Sequence, residues 1–204
     1  MIKAVLFDFG GVIAEEGFRE GLEAIARKNN LDAYTFFFQV VDLINSTGYL
    51  TGKCEEHDFW ESIRIATGVK GSDISLRVEI LSRFIIRINM LKIVELIKNK
   101  GLKTGILSDQ TNWLEEINKN HSFYQYFDYI FNSFKLGKSK SDLSLFTDVC
   151  EYLNLKPEEI LFIDDNSYHI LRANNTGYNT IYFSGYDDFM SKLETILPLK
   201  ENTG

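Results

Sequence analysis

The amino-acid sequence predicts an α/β fold, a three-layer Rossmann-like core with a parallel sheet, into which an all-helical segment is inserted. From about residue 89 to the C-terminus, short apolar runs typical of buried strands alternate with amphipathic helical patterns. Such alternation predicts a parallel sheet with helices on both faces. A further strand-like run lies at the N-terminus, and consecutive helical patterns separate it from the rest.

Five strands are predicted, each from a short apolar run. They are expected at residues 2–9, 103–108, 129–132, 160–164 and 180–183. Helices are expected between and after these strands, at 91–100, 112–120, 143–153, 167–176 and 186–197, because apolar residues recur there at helical spacing. Gly101 directly follows the first of these helices, where glycine favours a helix end.

The stretch from 15 to 88 breaks the alternation of strands and helices. Four helices are predicted in it, at 17–28, 33–45, 55–67 and 73–86, with a turn-rich break at 48–53. β-branched residues weaken the helical preference of the last one. The predicted domains are therefore an α/β core formed by residues 1–14 and 89–204, and a helical domain formed by residues 15–88.

Composition limits the classes of partner. The chain has 204 residues, 45% hydrophobic and 25% charged, as in an ordinary globular protein. Its net charge of −7 argues against nucleic acid or an anionic membrane as a partner. We expect a cytoplasmic protein, because no signal peptide and no apolar run of the ~20 residues needed to cross a bilayer is evident. Cys54 and Cys150 lack metal-binding spacing and are expected to be reduced.

The first apolar run is the most informative feature, because it ends in an acid that glycines follow. Asp8 stands at the end of this run, before Gly10 and Gly11. Glycines are expected where the backbone turns sharply or a ligand approaches closely. Ligands of open parallel sheets bind beyond the carboxyl ends of the strands. Asp8 is thus a candidate for chemistry, although a strand-ending aspartate can also simply cap a turn.

A second apolar run also ends in acids, Asp164 and Asp165. If this strand and the first one end at the same edge of the sheet, Asp164 and Asp165 lie close to Asp8 there. Such a cluster is costly unless a cation or a shared proton neutralises it. Carboxylate oxygens, together with water and a phosphate, suit Mg²⁺. The pattern therefore predicts a magnesium site.

Two more residues extend this set. Ser108 places a hydroxyl at the end of the run 103–108, and Lys140 lies just before a helical stretch. Lys138 is a neighbouring alternative to Lys140. A nucleophilic carboxylate, a hydroxyl, a lysine and a metal-binding acid pair are the groups that phosphoryl transfer through an aspartyl phosphate requires.

In order and context, these residues resemble the four motifs of the haloacid dehalogenase superfamily. Asp8 matches the nucleophile of the first motif, and Ser108 matches the phosphate-binding hydroxyl of the second. Lys140 matches the lysine of the third motif, and Asp164 and Asp165 match the acid pair of the fourth. The resemblance covers nearly the whole chain. It implies that the helical segment is a cap that closes over the active site.

The resemblance also implies ligand roles. Mg²⁺ would be held by Asp8, Asp164 and the backbone carbonyl of Gly10, with Asp165 as a direct ligand, a water-mediated ligand or an orienter of Lys140. The phosphate of the substrate would lie against Ser108, Lys140, Gly11 and the amide of Asp109. From the cap side, residues 15, 16, 19, 49 and 53 are candidates to face the substrate, or else solvated helix residues. His57, His121 and His169 are expected to be structural or surface residues.

One departure from the family pattern bears on activity. Family phosphatases usually carry a general-acid aspartate two residues after the nucleophile, and here that position is Gly10. We expect a Mg²⁺-dependent phosphatase of a small phosphorylated metabolite, with a sugar phosphate as one candidate. The alternatives are a catalytically weak or inactive binding or regulatory protein, and a haloacid dehalogenase, which needs no metal. A phosphomutase fits less well, because it needs an acid at position 10.

Overall fold

The computed structural model describes residues 1–198 of the chain and contains a five-stranded parallel sheet. The strands are β1 (Ala4–Phe7), β2 (Lys103–Ser108), β3 (Tyr129–Asn132), β4 (Ile160–Asp164) and β5 (Asn179–Tyr182). Their order across the sheet is β3-β2-β1-β4-β5. The predicted bounds of β2, β3 and β4 are confirmed, whereas β1 is shorter at both ends and β5 begins and ends one residue earlier.

Ten α-helices lie in the described part of the chain. Those of the inserted segment are α1 (Gly17–Lys28), α2 (Ala33–Ser46), α3 (Glu56–Thr67) and α4 (Asp73–Leu81). Those of the α/β core are α5 (Ile88–Asn99), α6 (Trp113–His121), α7 (Ser133–Leu136), α8 (Ser144–Leu153), α9 (Ser167–Asn175) and α10 (Tyr186–Ile196). The predicted α/β class is confirmed.

The apolar strands are buried on both faces, which explains why they read as continuous hydrophobic runs. Alternate residues of β1 point to opposite sides: Val5 and Phe7 join the cluster formed with α5, α6 and α10, whereas Ala4 and Leu6 join the cluster formed with α8 and α9. The core therefore has three layers, helices–sheet–helices.

Strand order positions the site. β1 lies in the middle of the sheet, between β2 and β4. The chain adds β2 and β3 on one side of β1 and then β4 and β5 on the other side. Phe7 is in register with Ile106 on one side and Ile163 on the other. The next residues, Asp8 and Asp164, consequently lie level with each other at the carboxyl edge, where open α/β sheets bind ligands.

The insert leaves and rejoins the core through two adjacent chain segments. Ala14 forms an antiparallel bridge with Ile86, Glu15 N donates to Ile85 O, and Arg87 N donates to Ile13 O. This pairing explains why α4 ends at Leu81 and not at the predicted residue 86. Residues 85–87 leave the helix because they pair with the outgoing chain.

The predicted break at 48–53 is a 3₁₀ turn, Tyr49–Thr51, that packs on the core. Tyr49 is fully buried, stacks on Phe59 and donates its hydroxyl hydrogen to Asn112 Oδ1 at 2.6 Å. Ser133 Oγ donates to Leu50 O at 3.1 Å. These contacts join the insert to the sheet edge that carries Asp8.

Two further sequence expectations concern membrane-spanning segments and the state of the two cysteines. Within residues 1–198, no helix is both long and apolar enough to span a bilayer. Cys54 and Cys150 are free thiols, as expected.

Candidate active site

Asp8 lies just beyond β1 and is 8% exposed. Its amide donates to Ile163 O at 2.8 Å, and its Oδ1 accepts from Phe9 N at 2.7 Å. The Ser108 hydroxyl, at the end of adjacent β2, is close enough to this carboxylate to lower its pKa. Adjacent strand ends thus orient Asp8, with Oδ1 engaged by the backbone and Oδ2 turned toward Lys140.

Lys140 is fully buried between two carboxylates. Its Nζ lies 2.8 Å from Asp8 Oδ2 and 2.6 Å from Asp164 Oδ2. Burial would lower the pKa of this ammonium, but the two carboxylates raise it above its ordinary value. Lys138, the alternative in sequence, instead pairs with Asp148 at the surface. The structure thus brings Lys140, not Lys138, to Asp8.

Asp164 completes the buried charge cluster. Its Oδ1 accepts from Asn166 N at 2.7 Å, and its Oδ2 lies 3.1 Å from His169 Nδ1. Burial would raise the pKa of Asp164, but Lys140 and then His169 hold it at about 2. Burial and the Asp164 charge raise the pKa of Asp8 to about 7, despite Lys140. One ammonium therefore cannot fully compensate two buried carboxylates.

Asp109 connects two loops of the site. Its Oδ1 accepts from the backbone amide of Lys140 at 2.9 Å, and its Oδ2 lies 3.9 Å from His169 Nε2. This aspartate therefore holds the lysine-bearing loop against the end of β2. Its side chain positions neighbouring groups, while the amide of Asp109 remains the group expected at the substrate phosphate.

Gly10 and Gly11 differ in what they require. Gly11 has a φ of +78°, and a Cβ on it would lie 1.9 Å from Asp165 Oδ2. The group that approaches Gly11 closely is therefore the Asp165 carboxylate. Gly10 is outside the left-handed region, and a Cβ there would lie 3.4 Å from Phe84 Cε1 and 3.8 Å from Gln110 Nε2. The expectation that both glycines serve the turn is met by Gly11, whereas Gly10 has room for a side chain.

Asp165 lies at the wall of the same cleft, against Gly11. Burial and then the charge of Asp164 raise its pKa. Asp8, Asp164 and His169 each place one ligand atom within 4.8 Å of the others. Of the predicted ligand set, Asp8 and Asp164 are therefore together, and Asp165 stands beside them.

A cleft of about 550 Å³ opens above these residues, between the sheet edge and the insert. The insert contributes apolar side chains and a few polar ones, Glu16, Arg19 and Asn45. The Arg19 guanidinium lies over the Phe37 ring, 3.9 Å from its centroid. Of the other insert candidates, Glu15 pairs with Arg87 at 2.7 Å, and Tyr49 is buried in the insert–core contact.

A model of the haloacid dehalogenase-like hydrolase family matches residues 2–177. The chain belongs to this family. Among curated proteins, bifunctional epoxide hydrolase 2 of Sus scrofa is 28% identical over 114 residues, which is 52% of this chain and 20% of that protein. The chain thus matches about a fifth of that relative's length.

Solved structures of haloacid dehalogenase-like enzymes share the fold. The family enzyme BT-2542 of Bacteroides thetaiotaomicron superimposes with a TM-score of 0.75 at 23% identity, covering 91% of this chain and 96% of that one. Its complex with magnesium and inorganic phosphate has a TM-score of 0.71 at 23% identity, covering 89% and 93%. L-2-haloacid dehalogenase of Xanthobacter autotrophicus, with chloropropionic acid covalently bound, has a TM-score of 0.67 at 17% identity, covering 100% and 91%.

In this haloacid dehalogenase-like hydrolase, sequence reasoning missed two residues of the cleft. His169 lies in the first turn of α9, where the helix begins directly beyond β4, and so its ring reaches Asp164. A histidine five residues after a strand-ending acid was the available signal. Gln110 lines the cleft beside Gly10, and no spacing pattern in the sequence marks it.

Proposed function

We propose that this haloacid dehalogenase-like hydrolase is a Mg²⁺-dependent phosphatase that hydrolyses a small phosphate monoester through an aspartyl phosphate on Asp8. The observation that carries this proposal is the buried ammonium of Lys140 shared between Asp8 and Asp164 at adjacent strand ends. Because Asp8 is held in a fixed orientation beneath the cleft, its carboxylate can attack a phosphorus atom bound there without first having to reorient.

The residues of the chain divide the work of the first half-reaction. An Asp8 oxygen forms a bond to phosphorus while the bond to the ester oxygen breaks, and the electron pair leaves with that oxygen. Lys140 balances part of the negative charge gathered there, and the Ser108 hydroxyl and the Asp109 amide bind phosphate oxygens. Water then attacks the phosphorus atom, which frees Asp8 and releases inorganic phosphate.

The donor set fits a divalent cation. Two buried carboxylates face one ammonium, which leaves negative charge uncompensated, and burial holds the pKa of Asp8 well above its ordinary range. Asp8, Asp164 and the Gly10 carbonyl would hold Mg²⁺, with Asp165 beside them. The metal would supply positive charge to the phosphate oxygens during transfer. The magnesium and phosphate complex of BT-2542, a protein of the same fold, supports this assignment.

The insert would act as the cap of the site, and its boundaries would be those predicted, near residues 14 and 89. It supplies one wall of the cleft and would exclude water from the reacting groups. Arg19 and Asn45 are the side chains of this wall suited to polar groups of a substrate, and a sugar phosphate is one candidate. The proposed enzyme acts in the cytoplasm on a small molecule, without nucleic acid or a membrane as a partner.

The test is phosphate release in the presence of Mg²⁺ from a panel of aryl, acyl and sugar phosphates. Asp8→Asn should lower turnover about a thousandfold or more, with an unchanged circular dichroism spectrum. Asp187→Asn, at an exposed site on α10, is the matched control and should resemble the natural protein. After reaction with a substrate whose phosphate is labelled, the acid-quenched natural protein should carry labelled phosphate, whereas acid-quenched Asp8→Asn should not.

Two results would overturn the proposal. Metal-independent halide release from 2-chloropropionate, without phosphate release, would assign the dehalogenase reaction. Absence of both turnover and labelled protein across the panel would assign a non-enzymatic binding protein, the other alternative raised by Gly10.

A further inference from the structure

Gln110 is a buried polar side chain that faces the cleft without a protein partner. It is 9% exposed and lines the cleft with Asp8 and Gly10. Within residues 1–198, its carboxamide makes no hydrogen bond to another residue. A carboxamide that faces a cleft and makes no hydrogen bond to the protein is free to hydrogen-bond water or a bound ligand.

The backbone of Gln110 is held firmly. Its carbonyl accepts from Ser133 Oγ at 3.0 Å and from Phe134 N at 3.3 Å. The single hydrogen of the Ser133 hydroxyl is shared between this carbonyl and the Leu50 carbonyl of the insert. Gln110 therefore stands at the junction between the sheet edge and the insert, the side of the cleft from which an ester group must extend.

The position of the carboxamide relative to Gly10 defines what it can contact. Its Nε2 lies 3.8 Å from the point where a Cβ of residue 10 would stand. Gly10 lines the cleft with Asp8, and the family resemblance implies that a side chain at this position would face the bond that breaks. Gln110 reaches the same space from the loop that follows β2, the neighbouring strand.

We propose that the Gln110 carboxamide donates a hydrogen bond to the ester oxygen of the substrate as that oxygen leaves phosphorus. This inference rests on the proposed phosphatase function. The oxygen takes the electron pair of the broken bond, Gln110 keeps its proton, and water supplies the proton that the alcohol finally carries. Gln110 is therefore a stabiliser of developing charge and not an acid.

The proposal requires a specific dependence on the leaving group. An alkoxide develops more charge on its oxygen than a nitrophenolate does, so a hydrogen bond there matters more for alkyl esters. Losing a hydrogen bond to a charged group corresponds to about a 10- to 100-fold change. Gln110→Leu, which keeps the volume but not the donor, should lower kcat/KM for 2-phenylethyl phosphate by that factor. For 4-nitrophenyl phosphate the loss should stay below about threefold.

Both substrates are measured with the natural protein, Gln110→Leu and the control Gln125→Leu, an exposed glutamine on a 3₁₀ turn outside the cleft lining. If Gln110→Leu does not fold, Gln110→Ala replaces it. A selective loss for the alkyl ester supports the proposal. Equal losses for the two esters, or none, overturn it while leaving the phosphatase function standing. Failure of the natural protein to release phosphate from these two esters and from every phosphate of the panel instead removes the phosphatase function, and the proposal with it.

Discussion

Lys140 Nζ lies 2.6 Å from Asp164 Oδ2, and both side chains are fully buried. The same ammonium lies 2.8 Å from Asp8 Oδ2. A single cation thus joins carboxylates from two adjacent strand ends, and its loss would leave both without their main partner. The buried charges make the stability of the protein and the chemistry of the site depend on the same three side chains.

Replacing this lysine should therefore be costly. Lys140→Met is expected to reduce the free energy of unfolding by about 3–5 kcal/mol, because it leaves buried carboxylates uncompensated. Lys138→Met is the matched control, since Lys138 pairs with Asp148 at the surface and should have little effect. Urea denaturation at neutral pH measures both. Equal effects of the two substitutions would contradict the central role of Lys140.

Magnesium should stabilise the folded state, because it relieves repulsion between Asp8 and Asp164. Millimolar Mg²⁺ is expected to raise the melting temperature, by about 2–4 °C for each kcal/mol by which Mg²⁺ binding stabilises the folded state. Asp164→Asn should abolish this rise, whereas Asp187→Asn, at the surface, should keep it. A melting curve of the natural protein that does not respond to Mg²⁺ would remove the basis for a metal site.

A pH dependence follows from the raised pKa of Asp8. In the metal-free protein this pKa is about 7, against an ordinary value of 3.8, so the folded state binds the proton more tightly than the unfolded chain. Its contribution to stability is thus complete below about pH 4 and is lost as the pH rises through about 7. The pKa of Asp164, about 2, lies below this window.

With a chelator present, the melting temperature of the natural protein should therefore fall relative to that of Asp8→Asn between about pH 4 and pH 7. Mg²⁺ should reduce the difference, because a nearby cation favours the ionised carboxylate. Parallel curves for the two proteins in chelator would show that Asp8 does not carry a raised pKa.

Gly10 offers a test of the missing general acid. Its backbone is not in the left-handed region and a Cβ would meet Phe84 Cε1 at 3.4 Å, so Gly10→Asp should fold. An acid at this position should accelerate hydrolysis of alkyl phosphates at least about tenfold, and aryl phosphates much less. The ratio of the two rates, measured in both proteins, is the readout.

Gly11→Ala, at the next position, is a contrasting change. Its φ of +78° and the Asp165 carboxylate 1.9 Å from the added Cβ should make it destabilising. If the natural protein already hydrolyses alkyl and aryl phosphates at equal rates, another residue supplies the proton, and the interpretation of Gly10 fails.

The order of elements was readable from local patterns. β2, β3 and β4 begin and end where their apolar runs do, and α1 coincides with its predicted range. β1 was predicted longer at both ends, because Ile2 and Phe9 continue the apolar run without sheet pairing to match. α4 is shorter than its pattern, because residues 85–87 pair with a segment about seventy positions earlier in the chain, as in Arg87 N to Ile13 O.

By itself, the sequence determined the α/β class and which acids end the strands, because hydrophobic periodicity and residue type are local properties. The tertiary structure decided which side chains meet. Lys140 and not Lys138 lies between Asp8 and Asp164, His169 reaches Asp164, and Gln110 reaches the space beside Gly10. These contacts depend on the direction in which each loop leaves its strand, and packing and hydrogen bonds from distant residues set that direction.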